Sequence, residues 1–483
     1  MKLLRPLPSL TAVPLLLAAL GAELALSASP PRPPQEPAPA EGGIPTPEYA
    51  ERRRRLLDTL GAPGPVVIRG AEPPAEDYLR FRQRNDFLYL SGIDQPGALL
   101  LITPPPPDDP DAPPRAVAFL PPFNPFAERW SGPQVVPGPD TAARFKLDAA
   151  LPLGDFDAQL AAALGLSPSE DDGDGDGDSA PADPPALFTH LARGRDAEHS
   201  ADGRFEARLK QLAPGVPLRD LSGGIASLRL IKSEAELALI QAAIDMTIEG
   251  HRDAARVIRP GAFEYEAQGA LEYAFTRNGA RRPAFASIVG AGPNSVILHY
   301  NANRRRMQDG DLVVIDVGAE FHAYAADITR TYPVSGRFND RQRAVYRLVL
   351  DAQRAAEAVF EPGKTTLADL QRAAADCMKA SPLRDAEGRT LDRSFVHGIG
   401  HWLGMDVHDV GSTRRPIPAG AVFTIEPGIY LADEQLGVRI EDDYLATEDG
   451  LVKLSAALPS EPDEIEALMA TSAAPADPDQ PVP

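Results

Sequence analysis

Along residues 233–258 the apolar side chains recur at helical spacing. Leu237, Ile240, Ile244 and Ile248 fall on one face, and Ser233 with Glu236 makes a capping box at its start. Pro260-Gly261 stops this helix. The plan then returns: Val345, Leu348, Val349 and Ala352 line the inner face of a helix from about Asp340 to Phe360, ended by Pro362-Gly363. Val257, Pro260-Gly261 and His299 recur at a constant offset of 102 residues as Val359, Pro362-Gly363 and His401. After each Pro-Gly the pattern predicts a shorter helix, then strands that carry polar residues.

Upstream the pattern is mixed. Val66-Val67-Ile68, Ala98 to Ile102 and Ala116 to Leu120 read as short buried strands, separated by Pro/Asp loops and by helical stretches such as Pro47 to Leu60. The expected class is α/β (α+β). An N-terminal mixed α/β domain over 44–225, with no catalytic constellation visible in it, precedes a pseudo-two-fold catalytic domain over 226–469.

The polar positions of the repeat carry the chemistry. Each half supplies one histidine followed by two carboxylates: His299, Asp316 and Asp327, then His401, Glu426 and Glu441. Asp316 ends the apolar run Leu312 to Ile315, and Asp327 opens the β-prone run Ile328 to Tyr332. A hairpin centred on Phe321-His322 sets the two aspartates opposite each other. Phe-His is a poor two-residue turn, so a bulge or wider loop is expected there. Glu426 and Glu441 follow two further runs with Asp433-Glu434 between them, although Pro427-Gly428 breaks the first. Facing carboxylates repel unless a cation lies between them. Paired acids on two similar hairpins therefore predict a dinuclear metal site, and with it a metallohydrolase. His397, His401 and His408 cluster in a Gly-rich stretch, whereas His190, His199, His251 and His322 read as structural or surface residues.

Composition narrows the chemistry. A single cysteine, Cys377, excludes an internal disulfide framework and a cysteine zinc site, so a metal must be held by oxygen and imidazole. The net charge of −21 over 483 residues argues against nucleic-acid and anionic-membrane partners. Seven acids and no base lie between Glu170 and Asp183. Counting from Asp172 puts carboxylates at calcium-loop positions, but Pro181 interrupts them and Asp183 replaces the usual Glu. The segment 168–185 is expected to be a solvated, disordered insert, and 470–483 a disordered tail.

The start looks like an export signal over 1–29. Lys2 and Arg5 precede an apolar run from Leu10 to Leu20, and Ala25-Leu26-Ser27 offers small residues for cleavage. A Pro-rich linker follows over 30–43. The expected location is periplasmic or secreted if the signal is cleaved, with no membrane contact thereafter, and otherwise cytoplasmic or membrane-tethered. The run is too short to span a bilayer as it stands.

The stretches Leu298-His299-Tyr300, Ile315 to Gly318, Asp327 to Arg330, His397 to Asp409, Glu426-Pro427-Gly428 and Arg439 to Asp442 resemble the pita-bread metallopeptidases. Within them the chain is similar to aminopeptidase P and its sister, prolidase. Phe81 to Gly92 resembles the N-terminal domain of that group. The resemblance implies that Asp316, Asp327, His401, Glu426 and Glu441 hold two divalent ions, with Asp327 and Glu441 bridging. Manganese is the ion implied, with cobalt or zinc as alternatives. The ions would polarise the scissile carbonyl and make a hydroxide available near neutral pH. Glu426 would shuttle the proton as general base, and His299, His397 and His408 would orient the peptide. Arg439 would hold a carboxylate ligand from behind.

The implied activity is release of an N-terminal residue that precedes proline, the partners being proline-containing peptides. A prolidase restricted to dipeptides and a non-catalytic peptide-binding module are the alternatives. A homo-oligomer, dimer or tetramer, is also implied. The connection from Tyr430 to Val438 is short compared with some relatives, and it bears on the rim of the pocket and the chain length accepted.

Overall fold

A computed structural model of the chain describes residues 43–472, apart from 62–63, 77, 107, 110 and 167–184. The export-signal, acidic-insert and tail expectations fall outside these residues, except for the edges of the last two. No described helix is long and apolar enough to cross a membrane.

The described residues up to 220 build one mixed sheet. Its strands are β1 (Val66–Arg69), β2 (Leu99–Thr103), β3 (Arg115–Leu120), β4 (Ala149–Pro152), β5 (Leu187–Thr189) and β6 (Leu218–Asp220), in the order β4-β3-β2-β1-β5-β6. The neighbours β1–β2 and β2–β3 are antiparallel, and the outer pairs are parallel. These strands are apolar on both faces, and their alternation divides them between two cores. Val67, Leu99, Leu101 and Val117 pack with Phe156 and Leu209 from helices on one side. Ile68, Leu100 and Ala118 join a second core that includes Leu56 and continues to Leu239, Ile240 and Ile244 of the long helix Glu234–Val257. The sheet is thus seated against the catalytic half by continuous apolar packing.

That long helix starts at the expected capping box, with Ser233 and Glu236 satisfying each other's backbone N–H groups. Its counterpart Asp340–Ala358 begins with a second such box, Asn339 with Gln342. Each is followed by a shorter helix, Glu264–Arg277 and Leu367–Ala380, so the repeat read from the apolar pattern holds at the level of elements.

The strands that follow form small antiparallel sheets. β7 (Arg282–Pro283), β8 (Ile288–Ala291), β9 (Leu312–Val317), β10 (Ala319–Phe321), β11 (Tyr324–Ala325) and β12 (Ile328–Pro333) belong to the first half. β13 (Val422–Ile425), β14 (Gly428–Leu431), β15 (Leu436–Arg439), β16 (Asp442–Thr447) and β17 (Gly450–Lys453) belong to the second. The first hairpin corrects the register expected from sequence. Phe321 pairs with Tyr324 and Asp316 with Thr329, so the turn is His322-Ala323 and the aspartates are diagonal rather than opposite. Both turn residues are left-handed, with φ of +47° and +68°, which is the conformation a two-residue hairpin turn demands. Sheet pairing thus imposes on His322 and Ala323 a backbone that turn statistics reserve for Gly and Asn.

The second hairpin keeps the expected register across its Pro-Gly interruption. Leu431 pairs with Leu436, Gly428 with Arg439 and Ile425 with Asp442, which sets Glu426 across from Glu441. The connection from Tyr430 to Val438 is itself paired strand, closed by a short turn with Gln435 left-handed at φ +50°. An antiparallel bridge between Thr329 and Glu441 joins the two halves.

Candidate metal centre and active site

Strand ends deliver the acids to one place. Asp316 closes β9, Asp327 precedes β12, Glu426 lies between β13 and β14, and Glu441 between β15 and β16. His401 is held from both sides: its N–H donates to Thr424 Oγ1 at 3.2 Å, and its carbonyl accepts from Thr424 N at 2.9 Å. One ligand atom each from Asp327, His401 and Glu441 lie within 4.8 Å of one another. His401 Nε2 is 3.3 Å from Asp327, 3.5 Å from Glu426 and 3.9 Å from Glu441. Its Nδ1 sits 3.1 Å from the Trp402 carbonyl, so that nitrogen carries the proton and Nε2 turns a lone pair toward the acids.

These carboxylates are buried and under-satisfied. One oxygen of Asp316, one of Asp327 and one of Glu441 have no hydrogen-bond partner among the described residues. Burial, then the charges of Asp316, Asp443 and Glu426, pushes the Asp327 carboxyl well above its usual range. Burial followed by Asp327 and Glu426 does the same to Glu441. Glu426 is pushed up to about 7 by burial, although His401 and Arg439 pull it down. Orphaned oxygens converging on one imidazole are what a divalent cation would satisfy. The donor set, four carboxylates and one histidine, fits hard divalent ions.

Arg439 supports the cluster from β15. Its Nη2 donates to Asp316 at 2.6 Å, its Nη1 to the Tyr430 hydroxyl at 2.8 Å, and its Nε to Thr329 Oγ1 at 3.3 Å. Tyr430 Oη is 2.9 Å from His397 Nε2, and His397 Nδ1 is 2.9 Å from the Gly398 carbonyl. The protons therefore run one way: Arg439 donates to Tyr430, Tyr430 to His397, and His397 to Gly398. Burial, with Arg439 and His299 nearby, pushes His397 down to about 4, which keeps the ring neutral. The His408 ring stacks obliquely on His401, with centroids 4.2 Å apart, and its pKa is lowered by burial and then by His401 and His299. His299 follows the turn Gly292–Val296. All nine residues singled out from sequence line one cavity of about 750 Å³.

Comparison with known proteins points to one family. The model of metallopeptidase family M24 matches residues 238–448, and that of the aminopeptidase P N-terminal domain matches residues 49–169. The Xaa-Pro aminopeptidase of Escherichia coli is 32% identical over 463 residues, covering 87% of this chain and 97% of that protein. The mitochondrial intermediate cleaving peptidase 55 of Arabidopsis thaliana is 31% identical, covering 88% and 83%. Proline aminopeptidase P II from Yersinia pestis superposes with a TM-score of 0.76 at 34% identity, covering 89% of this chain and all of that one. The chain belongs to metallopeptidase family M24.

Three residues of this M24 site escaped the sequence reading. Thr329 donates to Glu441 Oε2 at 2.7 Å and accepts from Arg439, so it ties a carboxylate of one half to the other half. Tyr430 links Arg439 to His397. Asp443 accepts from the Asp327 N–H at 3.2 Å and is itself buried, which raises its pKa well above the usual range. Strand alternation carried the signal. Thr329 is two residues beyond Asp327, Tyr430 four beyond Glu426, and Asp443 two beyond Glu441, each on the same face as an acid already chosen. Of the histidines set aside, His251 is a buried strut between Tyr332 Oη and the Ile328 carbonyl, both at 3.1 Å.

Proposed function

We propose that this metallopeptidase is an Xaa-Pro aminopeptidase, and that Asp316, Asp327, His401, Glu426 and Glu441 hold two divalent ions, manganese by preference. The observation that carries the reading is the convergence of buried carboxylates with unpartnered oxygens on His401 Nε2, inside a cavity large enough for a peptide end. When bound, the ions supply Lewis acidity to the scissile carbonyl and activate water near neutral pH. Everything else falls to the chain.

Glu426, on the cavity wall 3.5 Å from His401 Nε2, is placed to take a proton and pass it to the leaving nitrogen. His299, His397 and His408 offer imidazoles on the cavity wall for the peptide carbonyls, and burial keeps His397 and His408 neutral. Arg439 holds Asp316 in place. Beside these groups, Phe285, Ile288, Leu298 and Val407 give the wall an apolar stretch suited to a pyrrolidine ring. The Xaa-Pro bond has no N–H for a protease to grip, so apolar fit and carbonyl contacts must do the binding.

Export of the mature enzyme and assembly into dimers or tetramers belong to the same proposal. N-terminal sequencing of the processed protein and sedimentation of the active species test them.

The deciding experiment compares an Xaa-Pro-Xaa tripeptide with the matching Xaa-Pro dipeptide, using protein stripped of metal and resupplied with manganese. Metal-dependent tripeptide cleavage, abolished in Asp327→Ala, is expected. Cleavage of the dipeptide alone would make the enzyme a prolidase. Neither cleavage, with two ions bound, would leave a peptide-binding module.

A further inference from the structure

The segment 405–409 carries His408 into the active-site cavity. Its own backbone closes the turn, Gly404 N donating to Asp406 O at 3.1 Å and Asp409 N to Trp402 O at 2.8 Å, and its remaining support comes from elsewhere. Backbone hydrogen bonds to the catalytic strands reach only as far as Gly404: Leu403 N donates to Val422 O at 3.0 Å and Ala325 N to Gly404 O at 2.8 Å. Among the described residues, the Met405 carbonyl accepts instead from two side chains of the N-terminal domain. These are Asn85 Nδ2 at 3.0 Å and Arg82 Nη2 at 3.3 Å. The Met405 side chain is buried in a cluster that includes Phe87 and Leu90 from the same short helix, Asn85–Ser91.

A second tie passes through a buried cation. Asp86 accepts from Arg229 Nη1 at 2.7 Å, and the other terminal nitrogen of Arg229 donates to Asp406 at 2.8 Å and also to Asp409. Lys232 closes on Asp409 from the far side at 3.2 Å. His190, immediately after β5, approaches the second Asp86 oxygen at 3.1 Å. Against the push of burial, His190 and Arg229 hold the Asp86 carboxyl down at about 2, so it stays charged. Asp406 and His408 line the cavity of the metal centre, while Asn85 and Asp86 lie outside it. The run Arg82 to Asp86 thus grips the histidine loop at both ends without touching substrate.

We infer that Asn85 and Asp86 of the N-terminal domain are positioning residues for His408, setting the loop Met405–Asp409 through the Met405 carbonyl and through Arg229. The inference rests on the aminopeptidase reading and deepens it: the N-terminal domain completes the active site rather than merely adjoining it. The physical reason is economy of support. A loop that leaves the sheet at Gly404 with only a tight turn of its own backbone leaves the Met405 carbonyl to side chains, and a misplacement of about 1 Å at a substrate-binding group can cost on the order of a hundred-fold in rate.

The test is a double-mutant cycle on the manganese-loaded full chain with an Xaa-Pro-Xaa tripeptide. Asn85→Ala removes the donor to Met405 without leaving a charge buried, and Asp86→Asn keeps the shape while removing the charge. Each is expected to lower kcat/KM by about ten-fold or more, with two ions still bound at unchanged affinity. In a His408→Ala background the same substitutions should cost almost nothing further, because their route to the substrate is already cut. Losses that add fully in that background, or that track loss of metal, would overturn the inference in favour of a general structural role. Unchanged kcat/KM in both variants would overturn it as well. A His408→Ala enzyme as active as the unaltered one would remove His408 from the substrate site, and the inference with it. Failure of the unaltered enzyme to cleave the tripeptide would strike the underlying reading instead, so the two failures are distinct.

Discussion

Arg439 and Tyr430 show how a few side chains set the state of this centre. Arg439 lies in a buried position that would lower its pKa, but Tyr430 and Asp316 hold it well above the ordinary value, so it is a permanent cation behind the ligands. Arg439→Ala removes the 2.6 Å bond to Asp316 and should weaken metal binding by about 10- to 100-fold, read by metal titration of the stripped protein. Tyr430→Phe leaves Asp316 alone but breaks the relay to His397. Its expected signature is a fall in kcat/KM of about ten-fold with metal affinity kept, checked by steady-state kinetics at saturating manganese. Equal metal loss in both variants would show that Tyr430 supports the ligands rather than the histidine.

At the scale of elements, the hairpins place the acids. The first hairpin tightens at Gly318, where an added Cβ would sit 1.6 Å from the Ala326 carbonyl. No side chain relaxes such a contact, because the obstruction is backbone. Gly318→Ala must therefore push apart β9, which carries Asp316, and β12, which follows Asp327. Loss of bound metal together with a lowered unfolding temperature is expected, measured by metal analysis and calorimetry. A protein that binds two ions with normal affinity would contradict this account of the hairpin.

For the whole molecule, the metal site is a cost when empty. A carboxyl whose pKa is raised on folding favours the folded state below its unfolded value, and that contribution is lost as pH rises through the folded value. For Glu426 the window runs from 4.5 to about 7, and Asp327 and Glu441 act in the same direction. The unfolding temperature of the metal-stripped protein should therefore fall relative to the manganese-loaded protein as pH rises from about 5 to about 7. Calorimetry at matched ionic strength reads the gap between the two forms. A gap that stays constant or shrinks would show that burial and mutual repulsion do not raise these carboxyls in the folded chain.

Much of this was legible in the chain alone. Apolar periodicity marked both long helices and the buried strands, because burial of a side chain follows from its own element's geometry. The repeat and the residue types marked the candidate ligands, His299 among them, since only oxygen and imidazole were on offer in the stretches that recur, and the family resemblance narrowed the set. What tertiary structure decided was pairing. Whether Asp316 faces Asp327 or Thr329 depends on where the turn closes, and sheet context forced His322-Ala323 into a left-handed turn that local preference disfavours. Thr329 and Asp443 took their roles from partners about a hundred residues away, and Tyr430 from Arg439 across its hairpin and from His397. The grip of Asn85 and Asp86 on the His408 loop spans more than three hundred residues of chain. Local spacing tells which face a residue occupies; only packing between distant segments decides what it meets there.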